Sequence, residues 1–412
     1  MKVICASICS TALALFYGHF ASAQEWTRFR GPNGGGLGQG KNLPAKGAEG
    51  DSLWRAKLPG SGHSSPVLWG EKLFVTSADA AAGKFTVSCL NGADGTTAWQ
   101  KDFPIPHYTL HANNSYATAS PATDTRHVFV PRIEGGELVL TALTHQGDVA
   151  WEFKAGPFKT EHGLGHSPIV YENRVLLVDD QDLAGRVIAL DAETGRVLWE
   201  APRSPGRADY STPCILRADA HPAWLIVNSH EDGICALDTR DGALVWKDQS
   251  VLDKRSVSSP VIAAGLVIGS CGSGGGGNYV AALRPPARAG ETPTLAYQIR
   301  RSAPYVPTPI VVGELLFLWS DGGIVTCVEG VTGTIQWQQR VGGNYFSSPV
   351  CADGKLYGTS TAGEVVVLEA TAQFKELGRS SLGEPTHATP AVANGRIYFR
   401  TLSHLAAVGP RQ

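Results

Sequence analysis

A proline preceded by serine or threonine opens an apolar run eight times along this 412-residue chain, at Pro66, Pro121, Pro168, Pro213, Pro260, Pro309, Pro349 and Pro390. The intervals are 55, 47, 45, 47, 49, 40 and 41 residues. A period of that size constrains the fold more than any single motif, because each copy is one unit that cannot bury its apolar face alone. Proline suits the first residue of a strand, where no ladder donor is required. After each proline come a short apolar segment, a turn and a second segment, as in PVLWGEKLFVTS from Pro66, PVCADGKLYGTS from Pro349 and PAVANGRIYFRT from Pro390. Asp353-Gly354 and Asn394-Gly395 are strong hairpin pairs.

A third segment and a loop then lead to a tryptophan. The clearest copy, VIALDAETGRVLW, ends at Trp199; its relatives end at Trp99, Trp151, Trp246 and Trp337. Aspartate bonds the turn backbone, and glycine supplies the positive φ that the turn needs before a fourth strand. In the two weaker copies Tyr297 and Phe374 are expected to replace the tryptophan. Four short strands per repeat is the arithmetic of a propeller blade. The bulky ring at a fixed place then fills the gap between neighbouring sheets, a packing role that needs no chemistry.

The two ends settle closure. The last repeat stops after its third strand, HLAAVG, whereas LWRAKL with Trp54 is a fourth strand with no preceding three. Joining them completes an eighth blade and removes the open edges of an arc of sheets. The expected fold is all-β: an eight-bladed β-propeller of four-stranded antiparallel blades over 51–412, closed by the N-terminal strand pairing with the C-terminal blade. Two separate domains or an open solenoid are the alternatives. Residues 24–50, Gly-rich around GPNGGGLGQG, form an N-terminal arm.

Composition bounds the function. Charged residues are 17% of the chain and the formal charge is −2, or −3 once Lys2 is removed. That balance argues against a nucleic-acid binder, which needs many cations. Residues 1–23 read as a signal peptide: Lys2, an uncharged apolar stretch from Val3 to Tyr17, and Ala21-Ser22-Ala23 before cleavage. A membrane anchor is the alternative reading, but no stretch reaches the ~20 apolar residues of a span. The chain is therefore expected to be exported, to the periplasm or beyond the cell, with no membrane span after cleavage, and monomeric. The six cysteines after the leader are scattered, without CxxC or an adjacent pair, and are expected to be buried free thiols.

The LDxxTGxxxW copies with their Ser-Pro openings resemble the pyrroloquinoline-quinone-type (PQQ-like) β-propeller repeat across almost the whole chain after the leader. WTRFRGPNG (Trp26 to Gly34), GHSSP and GRIYFRTLSHLAAVG are similar to an exported BamB-like group. The resemblance implies a protein-binding ring without cofactor, as in BamB lipoproteins, or a quinone with calcium on the axis, as in quinoprotein alcohol dehydrogenases. The vicinal Cys-Cys pair of the dehydrogenases is missing, and so is a lipidated cysteine after the leader. No cofactor is expected; PQQ with calcium stays as the alternative.

Strand A of each blade is innermost, so residues just before each Ser-Pro or Thr-Pro should ring the central mouth. They are His63, Tyr116 with Thr118, His166, Asp209, Tyr210, Arg255, Tyr305, Asn344, Tyr345 and His387. His63 and His387 should lie close together. The longest repeat adds a mouth-side insertion with His107, His111, Asn113 and Asn114, and blade 3 adds His162. HxxxH occurs as His107/His111 and His162/His166, but Pro106, Gly163 and Gly165 argue for loops, and no metal is assigned. Ser270 to Tyr279 is Gly-rich without the Lys of a phosphate loop; Lys254 and Arg255 nearby leave an anionic ligand open. Polar groups and aromatics converging on a mouth suit a ligand or partner surface; polar residues hydrated by channel water are the plainer account. The leading expectation is a non-catalytic scaffold for a protein in the cell envelope or an extended ligand. Its rivals are a quinoprotein oxidoreductase and a glycan-acting hydrolase or lyase using the His-rich mouth.

Overall fold

In the computed structural model, residues 25–46, 52–105, 108, 110–182, 184–218 and 221–410 are described. The signal peptide, Gln24, the end of the arm and His107 lie outside them. Eight four-stranded antiparallel sheets form the ring. Blade 3 shows the pattern, with strands Ile169–Tyr171, Arg174–Asp180, Gly185–Asp191 and Val197–Arg203 joined by tight turns. Strand A is short and innermost; the middle strands are mostly buried, and strand D alternates exposed and buried residues.

Blade 8 takes Ala391–Ala393, Arg396–Arg400 and His404–Val408 from the C-terminus and Trp54–Lys57 from the N-terminus. The seam is in register from Trp54 opposite Ala407 to Lys57 opposite His404. The ring thus has no free outer end. The six cysteines, Cys89, Cys214, Cys235, Cys271, Cys327 and Cys351, are free and buried. No helix among the described residues is long and apolar enough to cross a membrane.

In six blades the aromatic of strand D docks on the third turn of the next blade. Trp99 Nε1 donates to His145 O at 3.0 Å, Trp151 to Ala192 O at 3.1 Å, and Trp54 to Gly92 O at 3.1 Å across the seam. The ring lies flat on the turn glycine: a Cβ on Gly195 would stand 2.6 Å from Trp151, and one on Gly95 2.5 Å from Trp54. These glycines also have positive φ, so two requirements select the same residue.

Phe374 does not hold the tryptophan place in blade 7. The strand partner of Val367 there is Gly378, where blade 3 pairs Ala189 with Trp199. Phe374 belongs to the preceding turn and meets Trp337 edge-on, at 5.3 Å between centroids. The reason is topological: strands C and D of blade 8 come from opposite chain ends, so no turn exists there to receive a ring. The arm fills the space instead, with Ala45 O and Lys46 against Gly378.

From Trp26 to Gly38 the arm runs along the innermost strands, inside the tunnel. Trp26 bridges Leu68 of blade 1, Thr123 N donates to Thr27 O in blade 2, and Leu37 bridges Cys351 of blade 7. Asn33 exchanges two bonds with Ile215 of blade 4, at 2.8 and 2.7 Å. Innermost strand edges would otherwise carry unpaired backbone groups, and the arm satisfies several of them. Gly31 at φ 65 lies under the indole of Trp26, where any Cβ would come within 2.4 Å of the ring.

Candidate functional site

The serine or threonine before each proline proves to be an axial belt. Ser65 N–H donates to Ser120 Oγ at 2.8 Å, and Ser120 N–H to Ser167 Oγ at 2.9 Å. The chain of bonds continues from Thr212 to Ser259, Thr308, Ser348 and Thr389, at 3.0 to 3.3 Å. Six of the eight hydroxyls receive an amide from the preceding blade, so the repeat motif ties blade to blade around most of the axis.

Above this belt opens a cavity of about 1140 Å³, floored by Phe29 of the arm. The residue three before each proline lines it in all eight blades: His63, Thr118, Gly165, Tyr210, Val257, Val306, Phe346 and His387. Extended backbone alternates its side chains, so odd positions before the proline turn toward the axis and even positions away. Seven of the eleven mouth residues expected from sequence lie on the wall: His63, Thr118, Tyr210, Arg255, Tyr305, Asn344 and His387. Four do not. His166 is two before its proline, and Asp209 and Tyr345 are four before theirs; all three are buried outside the wall. Tyr345 packs on Trp319 at 5.3 Å, and its neighbour Phe346 faces the cavity. Tyr116 stacks edge-on against Tyr108, at 4.9 Å. Tyr305 also stands four before its proline yet lines the wall, because Asp321 bends its backbone by accepting Tyr305 and Val306 N–H at 2.7 and 3.0 Å.

The insertion after blade 1 reaches over the mouth to both sides. His111 stacks on His162 of blade 3 at 4.7 Å and 17°, and Asn113 O meets His387 Nδ1 at 3.2 Å. His63 and His387 stack at 4.3 Å. Thus His111 and His162, one from each HxxxH motif, stack on each other. Among the described residues no three His, Cys, Asp or Glu side chains converge on a metal position.

Burial, with the His387 and Arg400 charges beside it, pulls the pKa of His63 down to about 3. Burial likewise pulls His166 down to about 4, with Arg203 acting in the same sense and Asp180 opposing it. His166 lies under Tyr210, at 5.7 Å between rings. An imidazole held neutral in the fold is protonated more readily in the unfolded chain, so stability should fall as pH drops from 6.5 toward 4. The loss from His166 is expected to reach about 2 kcal/mol at pH 5. His166→Gln should flatten that slope in denaturant titrations at pH 7, 6 and 5; an unaltered acid profile would contradict the assignment.

Residues 38–110, 83–339 and 321–408 match the family model described as outer membrane protein assembly factor BamB. The chain belongs to the BamB family of PQQ-like repeat propellers. BamB of Alteromonas naphthalenivorans is 28% identical over 257 residues, 59% of each chain. BamB of Yersinia pestis is 25% identical over 263 residues, 55% of this chain and 63% of its own. The chain therefore spans about three-fifths of the curated relatives it matches. Among solved structures it is similar to BamB from Moraxella catarrhalis (TM-score 0.64, 16% identity, 88% of this chain and 98% of that one). It is equally similar in fold to quinohemoprotein alcohol dehydrogenase from Comamonas testosteroni (TM-score 0.68, 12% identity, 96% and 82%). Identities this low establish architecture.

A quinone held with calcium does not fit this BamB-family mouth. Calcium takes six to eight oxygen ligands. The lining carboxylates are Asp253 and Asp321, and Asp321 is committed to two amides. None of the six cysteines lines the cavity or has a vicinal partner.

Proposed function

We propose that this BamB-family propeller is an exported, monomeric, non-catalytic scaffold that receives a protein segment or other extended ligand at its mouth. The carrying observation is the combination of a wide cavity with a closed floor. Phe29 and the arm block the tunnel, so an occupant enters and leaves by one face. The floor is fixed by Arg30, whose guanidinium donates to Gly34 O, Thr308 O and Pro309 O at 2.9 to 3.0 Å. Stacked histidine pairs, Phe346 and Asn344 offer adaptable polar and aromatic contact, the kind of surface that binding sites use. The curated relatives named for outer membrane protein assembly support a protein partner in the cell envelope.

A photoreactive residue at position 346 tests this in the native exported fraction. Discrete protein adducts are expected at 346 and none at Ile335, an exposed residue of an outer strand. Absence of adducts, together with turnover of alcohols by quinone-loaded protein or of a glycan panel, would replace the scaffold with an enzyme.

A further inference from the structure

Charge is unevenly spread around the mouth. The permanent cations that line it, Arg207, Lys254 and Arg255, all come from the loops entering blades 4 and 5. Among the described residues, the nearby acids other than Glu161 make no ion pair with these cations. Asp321 holds two amides, Asp253 lies against Cys271 Sγ at 4.0 Å, and Asp209 accepts N–H from Ser256 and His230 at 2.5 and 2.9 Å.

One carboxylate meets the cations. Glu161, on the rim with its side chain 55% exposed, lies 2.7 Å from Arg207 Nη2, 3.6 Å from Arg255 Nη2 and 3.8 Å from His162 Nδ1. Arg255 is pre-positioned, 13% exposed, over the Tyr210 ring and 3.1 Å from His162 Nε2. Its Nε and Nη2 have no hydrogen-bond acceptor among the described residues. Lys254 folds back onto Gly276 O at 3.1 Å. Two guanidiniums facing one loosely held, exposed carboxylate form a receptor in which the chain supplies its own occupant. A planar guanidinium fork is suited to a carboxylate, and the sheltered wall strengthens the pairing.

We propose that the mouth accepts an acidic peptide segment whose carboxylate takes the place of Glu161 between Arg207 and Arg255. The inference rests on the scaffold reading and names the partner's chemistry. An apolar side chain beside the acid would meet Phe346 and Phe29, and the volume admits several residues. Lys254 is within the same wall and adds a second cation once it leaves Gly276.

Fluorescence anisotropy with the intact protein and a labelled Gly-Glu-Phe-Glu-Glu-Phe-Gly peptide tests it, against the peptide with glutamine at each acid. The acidic peptide should bind about tenfold more tightly and weaken in high salt. Arg255→Gln should remove most of that preference, whereas Glu161→Gln, which removes the internal competitor on an exposed rim, should tighten binding about threefold. Unchanged melting temperatures would confirm that both variants are folded. Equal binding of the two peptides, or weaker binding by Glu161→Gln, would overturn the proposal. Displacement of the peptide by equimolar phosphate or citrate would assign the site to free small anions and overturn the peptide source. Equal peptide binding with adducts at position 346 retained would sink this inference alone and leave the scaffold standing.

Discussion

Ala407→Pro is expected to destabilise the protein by about 3 kcal/mol or more, the cost of a proline in the middle of a sheet. Ala407 is fully buried and lies between two partners, opposite Trp54 on one side and Tyr398 on the other. A proline there removes a ladder donor at the one blade whose strands are not held together by chain connectivity. The indole of Trp54 would lose its place beside Tyr398, 6.0 Å away, and its bond to Gly92 O. Damage therefore spreads to blade 1. Urea unfolding should show a lower midpoint, and limited proteolysis should cut near the N-terminal strand before any other blade. A midpoint equal to that of the parent would mean that the seam contributes little to the ring.

Arg30→Met should cost about 4 kcal/mol, with the loss falling on the axis rather than the rim. Arg30 is completely buried, and burial, with Arg28 next to it, pulls its pKa down to about 9, so it stays charged at neutral pH. Among the described residues it has no carboxylate partner. Its charge is met by the carbonyls of Gly34, Thr308 and Pro309, which join the arm to blade 6. Methionine keeps much of the volume but leaves those oxygens unpaired, at roughly 1–3 kcal/mol each when buried. The floor under Phe29 should loosen with it. Hydrogen exchange of Gly38 and Cys351, whose amides tie arm to blade 7, should accelerate together with the fall in melting temperature. Exchange confined to Arg30 itself would show that the arm is held independently of that side chain.

The fold was legible because its determinants are local and repeated. The Ser/Thr-Pro openings, the Asp–Gly turns and the aromatic after each turn recur at one spacing, and an unmatched strand at each end leaves few ways to close. The site was legible only in outline. Picking polar residues before each proline found His63, Arg255 and His387, yet parity along an extended strand turned His166, Asp209 and Tyr345 away from the axis and Phe346 toward it. That signal was present in the spacing to proline. Phe374 misled for a different reason: Gly378 holds the aromatic place in blade 7, because the next blade has no third turn to receive a ring.

Other features had no sequence signal. That the serine before proline receives an amide from the blade before it depends on two segments some forty-five residues apart meeting at the axis. That Trp26 and Arg30 belong inside the tunnel follows from unpaired inner strand edges, which exist only once the ring has closed. Pairing of Glu161 with Arg207 and Arg255 likewise joins separate loops. Periodicity and turn chemistry, acting within a few residues, thus determined blade number and closure from the chain alone. Contacts across the axis depend on the curvature of the assembled ring, so only the tertiary structure decided what fills the tunnel, which side chains face the mouth and where its charge lies.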